Sequence, residues 1–332
     1  MSQPSQFRAL GARPSKPDPR DYPVHRFMAV SPETLPASFE ATPQVPIHDQ
    51  GANSTCVAET LTSVKECEEE RETGALTMFS VGFKYGDREE GDHQGEGMSP
   101  REAASGLQKR GVCPWDMYPV RGDYATCKAG ITDAMREAAK AYRIAAYARA
   151  VTVDELKAAI YHTGPCMIAI PVHESFYRTG ADGAVAAASG KLLGYHAMMV
   201  YGWTADGYWR VQNSWGSAWG KGGRCLLPLF YLTLDPNAPE DQRMEAWTIV
   251  DSIVAKTFPD IDPTTEEGRA VLRCAAAGLV RGYPDGEFKA KGNVTRGELC
   301  LMLDRAGLTG NAAGMAGPKA GIVQRLLRAV GL

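Results

Sequence analysis

"IHDQGANSTCVAET", residues 47–60, places Gln50 six positions before Cys56, and Cys56 stands where a helical pattern begins. Apolar Val57, Leu61 and Val64 recur at helical spacing and carry the helix to about residue 71. A free cysteine is among the most buried residue types, so a thiol packed under a helix is one reading of Cys56. The other is a nucleophile, because a helix N-terminus lowers a thiol pKa and a side-chain amide nearby can donate to an oxyanion. The choice rests on partners elsewhere in the chain.

Six histidines are available. His25, His48, His93, His162 and His173 show no metal-ligand spacing and no partner, and each reads as a surface or loop residue. His196 lies in "GYHAMMVYGW" (194–203), whose apolar content predicts a mostly buried strand. A histidine there needs both ring nitrogens satisfied. Seventeen residues on, "QNSWGSAWGKGG" (212–223) sets Asn213 beside two tryptophans. Asn213 can accept from one imidazole nitrogen while the tryptophans keep water away. Together these residues form a chemical set, with Cys56 as nucleophile and His196 as base and acid. Asn213 orients the imidazole and Gln50 donates to the oxyanion. An imidazolium beside the thiol, added to the helix N-terminus, predicts a low Cys56 pKa.

The surrounding chain is ordinary for a globular protein. It has 332 residues, 44% hydrophobic and 23% charged, with net charge −3. That balance suggests neither a nucleic-acid partner nor an anionic membrane, and the longest apolar runs, such as "MIAIPV" (167–172), are too short to span a bilayer. Eight cysteines without a CxxC pair favour neither zinc nor a redox motif, so no metal and no cofactor is expected. A working Cys56 would leave seven, an odd number, which leans towards a reducing compartment.

Residues 1–43 are rich in proline and basic residues and read as an extended N-terminal arm. The acidic run "ECEEERE" (66–72) reads as a solvated helix face. Helices follow from Pro100 to Gly111 and over 131–142. Thr152 and Glu155 make a capping box that opens a helix to about His162. Strand patterns occupy 143–151, 165–172, 195–203, 207–213, 224–230 and 245–254. Helices first and strands later predict an α+β domain of two halves with a cleft between them.

The blocks in this order resemble a papain-like (C1-type) cysteine peptidase over residues 44–254. "DQGANSTC" resembles the family's Gln-Gly block leading to the nucleophile, and "GPCMIAIPV" the strand before the histidine loop. "GYHAMMVYGW" resembles the histidine strand and "NSWGSAWGKGG" the asparagine block. "PDPRDY" (17–22) and the stretch from "GMSPREA" to "KRGVCPWDMYP" (97–119) are nearer bacterial and viral members than plant or lysosomal ones. The resemblance implies a papain-like two-subdomain fold, a helical half and a barrel-like sheet half. It also implies a protein or peptide substrate. "GEGMS" (95–99) stands in the place of the substrate-binding segment, which makes Gly97 and Met98 candidates for backbone pairing with an extended peptide, with Trp215 a further cleft neighbour.

Three departures matter. The residue after the nucleophile, usually aromatic, is Val57. Asn53-Ser54-Thr55 replaces the usual Cys-Gly-Ser, so the disulfide anchored there in the family is absent and the nearby cleft wall is expected to be looser. The arm is also too short for a full inhibitory prodomain of the family.

Residues 255–308 resemble one S-layer homology repeat, marked by "GYPDG" (282–286) and "VTRGEL" (294–299). In that family such repeats bind anionic cell-wall polymers, which makes Thr295 and Arg296 candidate contacts. Thr295 as a helix N-cap and Arg296 as a surface charge is the alternative. The family usually carries three repeats, and a lone pair of short helices buries little, so a homotrimer through this repeat is one expectation and a degenerate repeat packed on the peptidase the other. Residues 309–332 read as a Gly/Ala linker and a C-terminal amphipathic helix.

The functional expectation is a cysteine endopeptidase with an envelope-binding module. A catalytically idle binding module and a cell-wall peptide amidase or transpeptidase using the same thiol are the alternatives. The N-terminus has no apolar core of signal-peptide type, whereas the repeat points to the cell envelope, leaving cytoplasmic and phage-borne settings open.

Overall fold

The computed structural model describes residues 8–250, apart from 17, 19, 20, 27–34 and 42, and a discontinuous set between 260 and 302. The chain divides into two units, residues 1–24 with 30–251, and residues 25–29 with 252–332.

The first unit is built around helix α1 (Cys56–Thr73). Its Cys56, Val57, Leu61 and Val64 are fully buried, as their spacing predicts. Gly74 ends the helix in the left-handed conformation (φ 72°), its N–H donating to Glu70 O. On one side α1 meets α2 (Val81–Gly86) and α3 (Pro100–Arg110), and on the other the sheet. Pro100 sits at the start of α3 and Gly111 closes it. Helices α4 (Tyr124–Ala129) and α5 (Asp133–Ala139) complete the helical half, and the sequence-predicted helix over 131–142 finishes as a 3-10 turn at Lys140–Tyr142.

The sheet half has seven antiparallel strands among the described residues. They are β1 (Phe39–Glu40), β2 (Ala146–Ala150), β3 (Cys166–His173), β4 (Leu192–Trp203), β5 (Tyr208–Gln212), β6 (Arg224–Pro228) and β7 (Glu245–Val250). They pair in the order β2-β7-β3-β4-β5-β6, with β1 added to β4. In β3, residues 166–172 are all buried, which explains why its sequence is continuously apolar rather than alternating. Its register sets Ile170 opposite His196 and Ala169 opposite Ala197. Helix α6 (Val153–Thr163) packs on β3, β4 and β7. Thr152 Oγ1 accepts from Glu155 N at 3.1 Å, while Glu155 Oε2 accepts from Val151 N at 2.9 Å, so the return bond reaches one residue further back than a standard box.

Two sequence expectations fail, for one reason. The acidic run is not a solvated face, since Glu66 and Glu68 are buried and only its end emerges. His48 is not a surface residue either. It lies between the two carboxylates of α1, Nδ1 2.8 Å from Glu59 Oε2 and Nε2 3.5 Å from Glu66 Oε2. Glu66 Oε1 also accepts from Phe79 N at 3.0 Å, and Arg121 Nε donates to Glu59 Oε1 at 3.1 Å. Buried charges persist only with partners, and these partners come from segments distant in sequence.

In the second unit, Asp260 accepts from the backbone N–H groups of Phe288 (2.8 Å) and Lys289 (2.6 Å). Thr295 is an N-cap: its Oγ1 accepts from Glu298 N at 3.2 Å and donates to Glu298 Oε2 at 2.8 Å. That hydroxyl is committed to starting a helix, the structural alternative for this residue. Arg296, the 282–286 turn and the C-terminal helix expected at 322–332 lie outside the described residues.

Candidate active site

Cys56 is the first residue of α1, so its thiol stands at the positive end of the helix. It is fully buried against the backbone of Ala197, which follows His196 on β4, and against Gly11 and Ala12 of the arm. His196 Nε2 donates to Asn213 Oδ1 at 2.7 Å. The same Oδ1 accepts from Ser214 N at 2.8 Å, which assigns it as the oxygen and Nε2 as the protonated ring nitrogen. Nδ1 is then the basic nitrogen, and among the described residues it is buried without a hydrogen-bond partner.

Trp215 stacks on the imidazole (centroids 4.6 Å apart, planes at 29°), with Phe176 and Trp219 packed around it. Trp215 is buried, so it shields the His196–Asn213 bond rather than presenting a surface to a ligand. Gln50 is drawn towards the same block. Its backbone N donates to Ser214 O at 2.9 Å, and its Oε1 accepts from Ser214 Oγ at 2.7 Å. The amide nitrogen is thereby turned towards the cleft, donating to Ala9 O (3.0 Å) and to Asn53 O (2.8 Å). Ser214 thus positions both Asn213 and Gln50, a role the sequence reading missed although the residue lies inside the quoted block.

The described residues 8–15 of the N-terminal arm are not free. Residues 8–15 run through the cleft. Met98 N donates to Gly11 O (2.8 Å), Arg13 N to Met98 O (3.0 Å), and Ala12 N to Tyr195 O (3.1 Å). Of the two residues singled out as a backbone-pairing edge, Met98 bonds to this extended segment of the protein's own chain, whereas the Gly97 N–H and carbonyl are bonded to Tyr85 Oη and Arg88 Nη1. A side chain at Gly11 would put its Cβ 2.1 Å from Ser54 O, so only glycine passes here. At one end Arg8 pairs with Asp49, and Tyr177 Oη donates to Arg8 O at 2.7 Å. At the other, Ser15 N donates to buried Glu245 Oε1 at 2.6 Å, and Arg101 forks onto Asp18 and Asp21. A recess beside the arm is lined by Ala12, Pro14, Ala169, Tyr195, Arg243 and Glu245. "LGARP" (10–14), small residues inside a basic, proline-rich arm, was the available signal.

This burial reverses the expected electrostatics. Desolvation pushes the Cys56 thiol up to about 11, despite backbone hydrogen bonds that pull it down. Desolvation likewise pulls His196 down to about 4, against the opposing effect of its bond to Asn213. With the arm in place the pair is a neutral thiol and a neutral imidazole, not the low-pKa thiolate expected from the sequence.

A thiol at a helix N-terminus packs against the strand that carries a His–Asn pair in an α+β fold, the chemical set of a candidate thiol-hydrolase site. The model of the papain family cysteine protease matches residues 35–227, and the chain belongs to that family. The S-layer homology domain model matches residues 257–300. Among curated relatives, the chain is 34% identical over 136 residues to a gut-specific cysteine proteinase of Caenorhabditis elegans, covering 40% of each. It is 33% identical over 138 residues to cathepsin B-like cysteine proteinase 3 of the same organism, covering 40% of this chain and 36% of that one. The matched region thus spans about 40% or less of those relatives' length. Among solved structures, xylellain, a cysteine protease from Xylella fastidiosa, superposes with a TM-score of 0.65 at 24% identity, over 76% of this chain and 99% of that one. Procathepsin B S9 from Trypanosoma congolense does so with a TM-score of 0.57 at 22% identity, over 73% and 87%. At those identities the likeness concerns the fold.

Proposed function

We propose that this protein is a cysteine endopeptidase whose residues 8–15 hold the cleft closed until they are displaced. The observation that carries the reading is the 2.7 Å His196–Asn213 bond, which leaves Nδ1 as an unpartnered base on the strand against which Cys56 packs. Desolvation is the first cause of both shifted pKa values. Withdrawal of the arm hydrates the site, lowers the thiol and raises the imidazole, and so favours proton transfer from Sγ to Nδ1. The thiolate attacks the scissile carbonyl. Gln50 Nε2, freed from Ala9 O, and the Cys56 N–H hold the oxyanion. His196 returns its proton to the leaving amine, and the acyl-enzyme is hydrolysed by a water that His196 activates. The S-layer homology match supports docking of the second unit to an anionic envelope polymer, and so action at the cell envelope.

The test is turnover of an unfolded protein substrate by three full-length proteins. Gly11→Val, which drives a side chain into Ser54 O, is expected to be the most active, with Cys56 alkylated by iodoacetamide at least about tenfold faster than in the natural chain. Adding Cys56→Ala to Gly11→Val should abolish turnover. Equal activity with and without Cys56 would sink the mechanism, and equal alkylation with and without Gly11 would sink the closure.

A further inference from the structure

The substrate-pairing edge hangs on a loop that ought to be soft. "GDHQGEGM" (91–98) holds three glycines, forms no helix or strand, and reaches the cleft through Gly97, which has φ 81°. Ordering such a segment costs more backbone entropy than ordering any other kind. Among the described residues the cysteines are free, so no disulfide restrains this loop.

The loop is held by a side chain. Arg88 projects from the end of α2 into the loop. Its Nε donates to Tyr85 O at 2.8 Å, and its Nη1 donates to the carbonyls of His93 (2.6 Å), Gly95 (2.9 Å) and Gly97 (2.9 Å). The guanidinium lies 4.6 Å from the ring centroid of Tyr85 and 4.3 Å from that of Tyr124, in the corner formed by these two nearly perpendicular rings. Tyr85 Oη accepts from Gly97 N at 2.7 Å and donates to Glu96 Oε2 at 3.0 Å, while Glu96 Oε1 accepts from Tyr124 N at 2.7 Å. Both backbone groups of Gly97 are therefore taken from behind, the N–H by Tyr85 and the carbonyl by Arg88. The N–H and carbonyl of the next residue, Met98, are left facing the cleft, where the arm uses them.

We infer that Arg88 is a positioning residue for substrate binding, a guanidinium clamp that fixes the Gly97–Met98 edge in the geometry a peptide strand must meet. The inference rests on the reading of that edge as the substrate's partner. Arginine suits the task because its planar fork bonds one carbonyl through Nε and gathers three more through Nη1 while stacking on aromatic faces. A lysine offers a point charge that cannot hold both ends, so it serves only in part. Since Arg88 touches neither Cys56 nor His196 in any of these contacts, its loss acts on binding rather than on chemistry.

The experiment uses the full chain in the Gly11→Val background, with Arg88→Met and Arg88→Lys added separately. Amide exchange of residues 91–98 should rise about tenfold or more in Arg88→Met, with β4 and β5 unchanged. KM for a peptide spanning several residues before the scissile bond should rise about tenfold, with kcat within about twofold. Arg88→Lys should fall between the two on both readouts, and it keeps the test alive if the methionine variant does not fold. Unchanged exchange in a folded variant would overturn the clamp, as would a fall in kcat without a rise in KM. Faster exchange with an unchanged KM would instead overturn the substrate-edge reading, and with it the part Arg88 plays in binding.

Discussion

Two histidines in this molecule are buried almost equally, and their pKa values are shifted in opposite directions. His48 sits between the Glu59 and Glu66 carboxylates of α1. His196 sits under Trp215, near Phe176, with one amide oxygen for company. Desolvation disfavours the charged imidazole in both places. At His48 the hydrogen bonds and fields of two carboxylates outweigh it and hold the group up at about 9. At His196 nothing outweighs it, and the group falls to about 4. Burial alone therefore does not decide protonation; the partners buried with the ring do. The first histidine is a fixed cation that ties the Gln50 segment to the nucleophile helix. The second is a base kept neutral.

The largest effect that sharpens this contrast is on catalysis. In the Gly11→Val background, His196→Ala should cut kcat/KM by roughly 10³-fold or more while the protein stays folded. His48→Leu should do the reverse. It leaves two buried carboxylates without their cation, so stability should drop by about 3–5 kcal/mol in denaturant titration, with thiol chemistry retained in the folded fraction. A stable His48→Leu protein would break the comparison.

A smaller effect is the pH dependence of stability. The folded pKa of His48 lies above its ordinary 6.5, so its contribution is fully present below pH 6.5 and is lost as pH rises to about 9. The folded pKa of His196 lies below 6.5, so its contribution has the opposite sense: stability falls as pH falls from 6.5 towards about 4. Denaturant midpoints across pH 4 to 9.5 should show both limbs, with the alkaline one removed by His48→Gln and the acid one by His196→Gln. The smallest effect belongs to Asn213→Ala, which should keep the fold and leave a weakened enzyme, about 10²-fold down in kcat. Full activity there would mean that Trp215 alone orients the imidazole.

The proposed catalytic residues were legible because each carries a local signal. Cys56 begins a helical pattern, His196 interrupts an apolar strand, and Asn213 stands between tryptophans. The central strands were legible too, since burial on both faces writes a continuous apolar run such as that of β3. His48, Glu59 and Glu66 were not, because the charges of a loop and a helix read as solvated until the chain brings them together. Ser214 was hidden within a block whose neighbours drew the attention. Arg88 gave no signal at all, since its partners are backbone carbonyls, which every residue has.

Sequence by itself determined the candidate set, because the residues proposed as nucleophile, base, orienting amide and oxyanion donor are distinguished by residue type and stand on elements that each form locally. Tertiary structure alone decided their state. Burial pushes the Cys56 thiol up and the His196 imidazole down, and distant segments supply that burial: Gly11 and Ala12 of the arm lie against Cys56, and Trp215 and Phe176 against His196. The arm itself is anchored across 230 positions, from Ser15 to Glu245. Desolvation depends on everything packed around a group, and no stretch of sequence carries that information on its own.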